Sequence, residues 1–420
     1  MRVLFAVFPT PAHTRHVVPL AWALQNAGHE VRVATHPDLA GHVTGAGLAA
    51  VPVGSAVEAA ELTDFERNPG LRGHPGGGLA VASADCPDWG PKWFRTTRVF
   101  AGLRPLLEDL TGVVVRWRPD LVLWDPFCLP AAVAARLGGA AHARLLWGRD
   151  NIAWLRARSR RYQRQAGDGR WHDPLEEVMQ QLLEPYGLPY EEELLLGQWT
   201  VDPLPPGLRL PAPHVRYESM RWTPYGGGGT VPGWLHSRAT RPRVCLVREA
   251  APWGAPAGPD GGEALTELSD GLAALSGLDV EVVAAGFGPA ARALDLPGRP
   301  RLVDGLPLDQ LLPGCAAVVH RGGAAAFAAA AARGTPQLVV PGAFWDEEAT
   351  AGYLVRRGAG LVLDGGRPGP EALRASLSEL LGDGGYRARA GYLREEIESL
   401  PGPAELVPVL ERLTGLHQRI

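Results

Sequence analysis

The stretch that decides the fold spans residues 2–35, RVLFAVFPTPAHTRHVVPLAWALQNAGHEVRVAT. It opens with an apolar, partly β-branched run that is typical of a buried strand, and the loop PTPAHTRH follows. Apolar residues then recur at helical spacing until Gly28, and a second strand begins at Glu30. Strand, loop, helix and strand in this order predict the βαβ unit of a parallel sheet.

The same alternation continues on both sides of one segment rich in Gly and Pro. Strands are predicted at Asp120 to Asp125 and from Ala141, and the pattern restarts with a strand at Arg243 to Val247. Between the two halves, four consecutive glycines flanked by prolines cannot pack a core and predict an interdomain linker. We therefore predict an α/β protein with two Rossmann-like domains facing each other across a cleft, residues 1–222 and 243–420, joined by the linker 223–242.

Composition narrows the class of protein. A chain of 420 residues suits two domains, and a net charge of −4 offers no basic surface for nucleic acid. Four cysteines without a Cys-x-x-Cys pair predict free buried thiols rather than a zinc site or a disulfide framework. The N-terminal apolar run is too short for a signal peptide or a membrane span, so a cytoplasmic location is expected.

Two polar residues of the first half follow strands of the predicted sheet. His13 lies in the loop after the first strand, and Asp125 ends a later one. Open parallel sheets bind ligands at the carboxyl ends of their strands, so both side chains are expected at one rim. A histidine backed by a carboxylate can take a proton from a hydroxyl. The alternative is an unrelated loop histidine and an aspartate that caps the next helix.

The second half carries its own set of strand-end residues. His320 ends a strand and runs into Gly322-Gly323 and an Ala-rich helix, while Asp346 and Glu347 follow the next strand. Small residues let backbone amides approach a ligand, and a helix N-terminus favours a diphosphate. His320 is expected to add a charge-assisted hydrogen bond. The alternative is tight packing of the helix on the sheet.

These strand-end residues and the segments around them resemble those of the bacterial natural-product glycosyltransferases of the UDP-glycosyltransferase superfamily. The chain is most similar to actinobacterial enzymes that attach deoxysugars to macrolides and aromatic polyketides. The segments that carry the resemblance span nearly the whole chain: VPLAWALQNAGHEVRVATHPDLA, RPDLVLWDPF, GQWTVDPLPPGLRL, RWTPYGGGGTVPGWL, RPRVCL and LPLDQLLPGCAAVVHRGGAAAFAAAAARGTPQLVVP.

This resemblance implies a GT-B fold and an inverting transfer of a sugar from a nucleoside diphosphate donor, dTDP- or UDP-linked, to a hydroxyl of a hydrophobic acceptor. It implies no metal and no cofactor besides the nucleotide sugar as co-substrate. It leaves open whether the protein forms a homodimer or needs an auxiliary activator protein. The sugar, the acceptor and the type of glycosidic bond remain open too.

The resemblance also assigns roles to residues. His13 matches the family's base and Asp125 its partner, with His16 as a rival base and Trp147 as a further candidate on the acceptor side. The donor-binding positions of the family match His320, Arg321, Gly322, Gly323, Ala324, Asp346, Glu347 and Leu306. Of these, Asp346 and Glu347 match the position that contacts sugar hydroxyls, and Leu306 begins the segment that flanks the base.

The donor half departs from the family pattern. Ala325 and Ala326 stand where the motif has a glycine and a hydroxyl residue, and Glu249 stands where a small-residue turn is expected. A glutamate facing the diphosphate repels it by about 4 kcal/mol per charge pair at about 4 Å and an effective dielectric near 20. Two alternatives therefore stay open: a GT-B protein that catalyses a cofactor-free, non-glycosyl reaction, and a non-catalytic partner of another transferase.

Overall fold

The structure, a computed structural model, describes residues 1–55, 57–58, 62, 88–166, 172–249, 262–293, 296–342, 345–363 and 368–418. The chain divides into two compact units. Unit 1 comprises Met1–Arg221 and Pro401–Ile420, and unit 2 comprises Trp222–Leu400. None of the helices in the described part of the chain combines the length and the apolar character needed to cross a membrane.

Unit 1 contains, within the described residues, a seven-stranded parallel sheet in the order β3-β2-β1-β4-β5-β6-β7. Its strands are β1 (Arg2–Ala6), β2 (Glu30–Thr35), β3 (Ala49–Pro52), β4 (Leu121–Trp124), β5 (Ala141–Leu145), β6 (Trp199–Asp202) and β7 (Tyr217–Ser219). Its helices are α1 (Pro11–His16), α2 (Val18–Asn26), α3 (Ala40–Thr44), α4 (Trp89–Gly102), α5 (Leu106–Trp117), α6 (Leu129–Gly138), α7 (Asn151–Ala166), α8 (Pro174–Leu183) and α9 (Glu193–Leu196).

Unit 2 contains, over its described ranges, a six-stranded parallel sheet in the order β10-β9-β8-β11-β12-β13. Its strands are β8 (Arg243–Val247), β9 (Glu281–Ala285), β10 (Arg301–Val303), β11 (Ala317–His320), β12 (Gln337–Val339) and β13 (Gly360–Val362). Its helices are α10 (Gly262–Leu275), α11 (Gly288–Arg292), α12 (Leu308–Leu311), α13 (Ala324–Ala331), α14 (Glu347–Arg357), α15 (Pro370–Gly382) and α16 (Gly384–Glu398), and the chain then returns to unit 1 with α17 (Pro403–His417).

Central strands of both sheets are buried on both faces, as parallel sheets require. Val3, Leu4 and Phe5 of β1 are fully buried. In unit 2, one face of the sheet packs against α10 and α15, and the other packs against α13. Because α13 is built almost entirely from alanine, it lies close to the strands and is itself largely buried. The predicted α/β class is confirmed.

The segment predicted as a linker, residues 223–242, packs within unit 2. Gly226 lies so close to Pro307 that an added Cβ would stand 3.0 Å from it, and one on Gly229 would stand 2.6 Å from the Gly305 carbonyl oxygen. The Trp234 ring lies 4.8 Å from the guanidinium carbon of Arg243 and the same distance from that of Arg301. The glycines therefore permit a close backbone approach within unit 2.

The C-terminal helix packs on a different unit from the one the sequence suggests. The predicted second domain runs to residue 420, but α17 packs against α2 of unit 1. His29 Nε2 lies 2.9 Å from Glu411 Oε1, and the Arg221 amide donates to the Pro401 carbonyl at 2.6 Å. The apolar face of α17 is what unit 1 buries: Leu406, Val407, Leu410 and Leu413.

The cysteines of the described residues are free. Cys128, Cys245 and Cys315 are buried thiols, and Cys86 lies outside the described residues.

Replacing Leu410 by alanine should destabilise unit 1, although the residue follows unit 2 in the chain. Leu410 is fully buried, so the cavity should cost about 2–5 kcal/mol. Hydrogen exchange should show loss of protection in α2. Leu416→Ala is the matched control, because that side chain is 70% exposed and should change stability by less than about 0.5 kcal/mol. Lost protection confined to α15 and α16 would contradict this assignment.

Candidate functional site

A buried histidine–aspartate pair lies where the strand order of unit 1 reverses. β1 and β4 are neighbours in the sheet, and their onward connections place His13 on α1 and Asp125 directly after β4. His13 Nδ1 lies 2.5 Å from Asp125 Oδ2, and both side chains are almost fully buried. The predicted meeting of these two residues at one rim is present in the structure.

Local sequence explains how His13 is held. Thr10 precedes Pro11 and caps α1, because its hydroxyl accepts from the His13 amide at 3.4 Å. The region predicted as a loop is therefore one short helix. The capped start of this helix limits the directions in which the His13 ring can point.

The carboxylate of Asp125 is oriented by further donors. Its Oδ1 accepts from the Phe127 amide at 3.0 Å and from Trp147 Nε1 at 3.4 Å. With Oδ2 bound to His13 Nδ1, the ring proton belongs on Nδ1 and Nε2 is the basic nitrogen. A carboxylate in this position also stabilises the imidazolium that forms when Nε2 takes a proton.

Aromatic rings surround the His13 imidazole. The Trp147 ring centroid lies 4.4 Å from that of His13, and the Phe8 centroid lies 5.3 Å away. Phe127 stacks at 6.3 Å. Trp147, which the sequence analysis proposed for the acceptor side, is therefore in contact with both members of the pair.

His16, the rival base, has a different environment. Its Nε2 lies 2.7 Å from the Leu146 carbonyl oxygen, to which it donates. Burial, and to a smaller extent the nearby His13, lower the pKa of His16 to about 4, against the opposing effect of the Leu146 bond. A ring tied to the backbone with so low a pKa is poorly suited to take a proton near neutral pH.

In unit 2, both ring nitrogens of His320 bond to protein groups. The Gly322 amide donates to Nδ1 at 3.0 Å, so the ring proton lies on Nε2, which donates to Gln337 Oε1 at 2.9 Å. Burial lowers the pKa of His320 to about 4. This corrects the expectation of a charge-assisted bond from His320 to a ligand: the neutral ring instead holds the turn at Gly322.

That turn brings the loops after β11 and β12 together. Gly322 has φ +90°, and an added Cβ would stand 3.0 Å from the Glu347 carbonyl oxygen, so only glycine fits here. The Gly342 amide donates to the Arg321 carbonyl at 3.1 Å. Asp346, buried, precedes α14 at the same edge.

Two other predicted donor residues lie around this turn. Ala324 is the first residue of α13, directly after Gly323. Leu306 is partly buried and packs against the apolar cluster that includes Ala326. The structure thus groups all the predicted donor residues except Leu306 at the carboxyl ends of β11 and β12, and Leu306 follows β10.

Glu249 follows β8, the neighbour of β11, and its carboxylate lies at the start of α13. Oε2 accepts from the Gly323 amide at 3.1 Å and Oε1 from the Ala326 amide at 3.3 Å. Burial raises the pKa of Glu249 to about 7, with Glu347 adding to the rise and the two amide bonds opposing it. The carboxylate thus faces the helix N-terminus.

The two arginines near Glu249 pair with a different carboxylate. Arg248 Nε lies 3.6 Å from Glu267 Oε2, and Arg321 Nη1 lies 3.5 Å from Glu267 Oε1. Two guanidinium groups thus share one carboxylate beside the α13 N-terminus. Arg248 therefore pairs with Glu267.

The residues that hold the site side chains in place were not predicted from the sequence. Gln337 fixes the His320 ring, and its signal was a polar residue opening an otherwise apolar strand, PQLVVP. Thr10 was detectable as a helix cap before proline. Among the described residues, no group of three or more His, Cys, Asp or Glu side chains is arranged to hold a metal ion.

Family models match both units. The erythromycin biosynthesis protein CIII-like N-terminal domain matches residues 22–248, and the corresponding C-terminal domain matches residues 269–413. The chain belongs to this family.

Individual relatives of the family are similar over their whole length. The chain is 40% identical over 430 residues to tylactone mycaminosyltransferase of Streptomyces fradiae, covering 100% of this chain and 93% of the relative. It is 38% identical over 442 residues to aclacinomycin-T 2-deoxy-L-fucose transferase of Streptomyces galilaeus, covering 100% and 97%. The solved structure of the glycosyltransferase VinC in complex with dTDP matches with a TM-score of 0.83 and 33% identity, covering 99% and 100%. The chain is therefore a glycosyltransferase with the GT-B fold.

Acid should destabilise this glycosyltransferase through His320. Its pKa is about 4 in the folded chain against an ordinary 6.5, so the unfolded chain binds the proton first. The stability is present above pH 6.5 and is lost as the pH falls towards 4, by up to roughly 3 kcal/mol. His320→Asn should flatten this loss in urea unfolding of unit 2 at pH 7 and pH 4.5. The exposed His236→Asn is the control; equal pH dependence in both variants would contradict the prediction.

Proposed function

We propose that this chain transfers a deoxysugar from a dTDP-linked donor to a hydroxyl of a hydrophobic polyketide aglycone, with inversion at the anomeric carbon. The observation that carries the proposal is the buried pair of His13 and Asp125, in which Nδ1 of His13 lies 2.5 Å from Oδ2 of Asp125. The names of the relatives support the substrate classes, since they are transferases of mycaminose and 2-deoxy-L-fucose. The dTDP in the VinC structure supports the nucleotide.

The proposed reaction begins with the acceptor. His13 Nε2 takes the proton of the acceptor hydroxyl as its oxygen attacks the anomeric carbon. The bond from that carbon to the diphosphate oxygen breaks, and its electron pair leaves with the nucleotide. Asp125 stabilises the imidazolium at Nδ1. Attack from the face opposite the leaving group inverts the configuration, and the proton stays on His13 until solvent removes it.

The leaving diphosphate needs donors that are already in place. We propose that backbone amides at the α13 N-terminus, beginning with that of Gly323, supply them, since backbone amides at a helix N-terminus do not depend on the lost motif side chains. His320 is a positioning residue in this scheme, because it fixes the Gly322 amide rather than touching substrate. We propose, from the family resemblance, that Asp346 and Glu347 contact the sugar hydroxyls and that Leu306 lies beside the nucleotide base.

One observation favours a second candidate function. Because Glu249 accepts the amides of Gly323 and Ala326, an anion already faces the proposed diphosphate position. A GT-B protein that no longer binds a nucleotide and carries out a cofactor-free reaction on a natural product would tolerate this contact. Nucleotide binding separates the two candidates.

The test is a transfer assay with a panel of dTDP-deoxysugars and polyketide aglycones. Transfer predicts a mass gain of one sugar on the aglycone and release of one dTDP per product. Calorimetric titration with dTDP and UDP accompanies the assay. Absence of nucleotide binding at about millimolar concentration, the weak end of the affinity scale, with aglycone binding intact, would overturn the proposal and favour the second candidate.

Replacing His13 and His16 by alanine, one at a time, shows which of the two histidines is the base. His13→Ala should lower kcat by at least about two orders of magnitude, the usual effect of removing a positioned base. His16→Ala should lower kcat much less, because His16 is bound to the Leu146 carbonyl and has a pKa of about 4. Turnover with saturating donor and acceptor measures both. The reverse ranking would show that His16 is the base.

A further inference from the structure

The α13 N-terminus already holds a protein anion. α13 runs from Ala324 to Ala331, and its first amides have no partner within the helix. Glu249 takes two amides at this end, those of Gly323 and Ala326, one on each carboxylate oxygen. The fit is close: a Cβ added to Gly323 would stand 2.4 Å from Glu249 Oε1. A second anion cannot use these amides while the carboxylate remains.

Topology explains why the carboxylate reaches this point. β8 and β11 are adjacent parallel strands, paired from Ala317 and Val244 to Val319 and Leu246. Glu249 is the second residue after β8, and Gly323 is the third after β11, so both lie at the same end of the sheet. The chain therefore carries an acidic side chain at the point where open parallel sheets bind their ligands.

Burial of the Glu249 carboxylate at the α13 amides is electrostatically unfavourable for its ionised form. Burial and the neighbouring Glu347 raise the pKa of Glu249 to about 7, and Arg321 opposes the rise only in part. Arg248 and Arg321 pair with Glu267. An ionised carboxylate in this setting is bound less firmly than an ordinary helix cap, and a ligand with more charge and more acceptor atoms can replace it.

We propose that Glu249 is a resident competitor of the donor diphosphate, so that donor binding requires its carboxylate to leave the amides of Gly323 and Ala326. This inference rests on the proposed function. The competition lowers affinity for the diphosphate part of the donor and leaves the affinity for the nucleoside part unchanged. Glu249 thereby sets the donor concentration at which the enzyme works, and it does so without touching the sugar or the base.

The experiment compares dTDP and thymidine binding to four forms of the full chain by calorimetry: wild type, Glu249→Gly, Glu249→Gln and Glu348→Gln. Glu249→Gly removes the competitor and should lower the Kd for dTDP at least about tenfold, equivalent to about 1.4 kcal/mol. Glu249→Gln should lower it less, because its amide oxygen still accepts one backbone bond. Thymidine, which lacks phosphate, should bind all four forms alike.

Glu348→Gln is the matched control. It removes one negative charge from the exposed first turn of α14 and leaves the α13 amides as they are, so its Kd for dTDP should stay near that of the wild type. A cooperative thermal transition in each variant confirms folding. Tighter dTDP binding in both Glu249 variants, with unchanged thymidine binding, supports the inference.

Two outcomes would contradict the inference, and only the second would also contradict the proposed function. Equal or weaker dTDP binding in Glu249→Gly and Glu249→Gln, beside measurable binding in the wild type, contradicts the competition and leaves the proposed transferase function standing. No dTDP binding in any of the four forms contradicts both the competition and the proposed function.

Discussion

Parallel pairing at the point where each strand order reverses is the constraint on which both sites depend. β1 pairs with β4 in unit 1, and β8 pairs with β11 in unit 2, and in each case the chain leaves the two strand ends in different directions. Side chains after such strands meet across a short gap. In unit 1 this brings a histidine to a carboxylate, and in unit 2 it brings a carboxylate to a helix N-terminus.

Partners, rather than residue type, decide what each buried histidine does. A carboxylate at Nδ1 fits His13 for its proposed role as the base. Burial keeps His16 and His320 neutral. Hydrogen bonds then hold His16 to the Leu146 carbonyl and His320 between the Gly322 amide and the Gln337 side chain. The same holds for Glu249, whose carboxylate accepts two backbone amides while Arg248 and Arg321 pair with Glu267. Similar side chains therefore take different parts according to the groups that surround them.

Much of this arrangement was predictable from the sequence. Apolar runs placed β1, β4, β8 and β11, and the strand-end rule then predicted the meeting of His13 with Asp125. The role of His320 was not predictable, because Gln337 lies 17 residues away and reaches it only through the pairing of β11 with β12.

Other features depend on tertiary packing that no local pattern records. The apolar periodicity of α17 predicts a buried face but not which sheet receives it. The glycines of the expected linker gave no sign that Pro307 and Gly305 would lie against them. The direction of Glu249 depends on side-chain torsions, so the sequence raised the question of its contact with α13 without answering it.

The return of α17 to unit 1 has a consequence for synthesis on the ribosome. Residues 403–417 complete the packing surface of α2, yet they leave the exit tunnel after every residue of unit 2. Domains usually fold in the order in which they are made. Here the whole of unit 2 is synthesised before unit 1 is complete. The surface of α2 that receives α17 therefore stays uncovered until the end of synthesis.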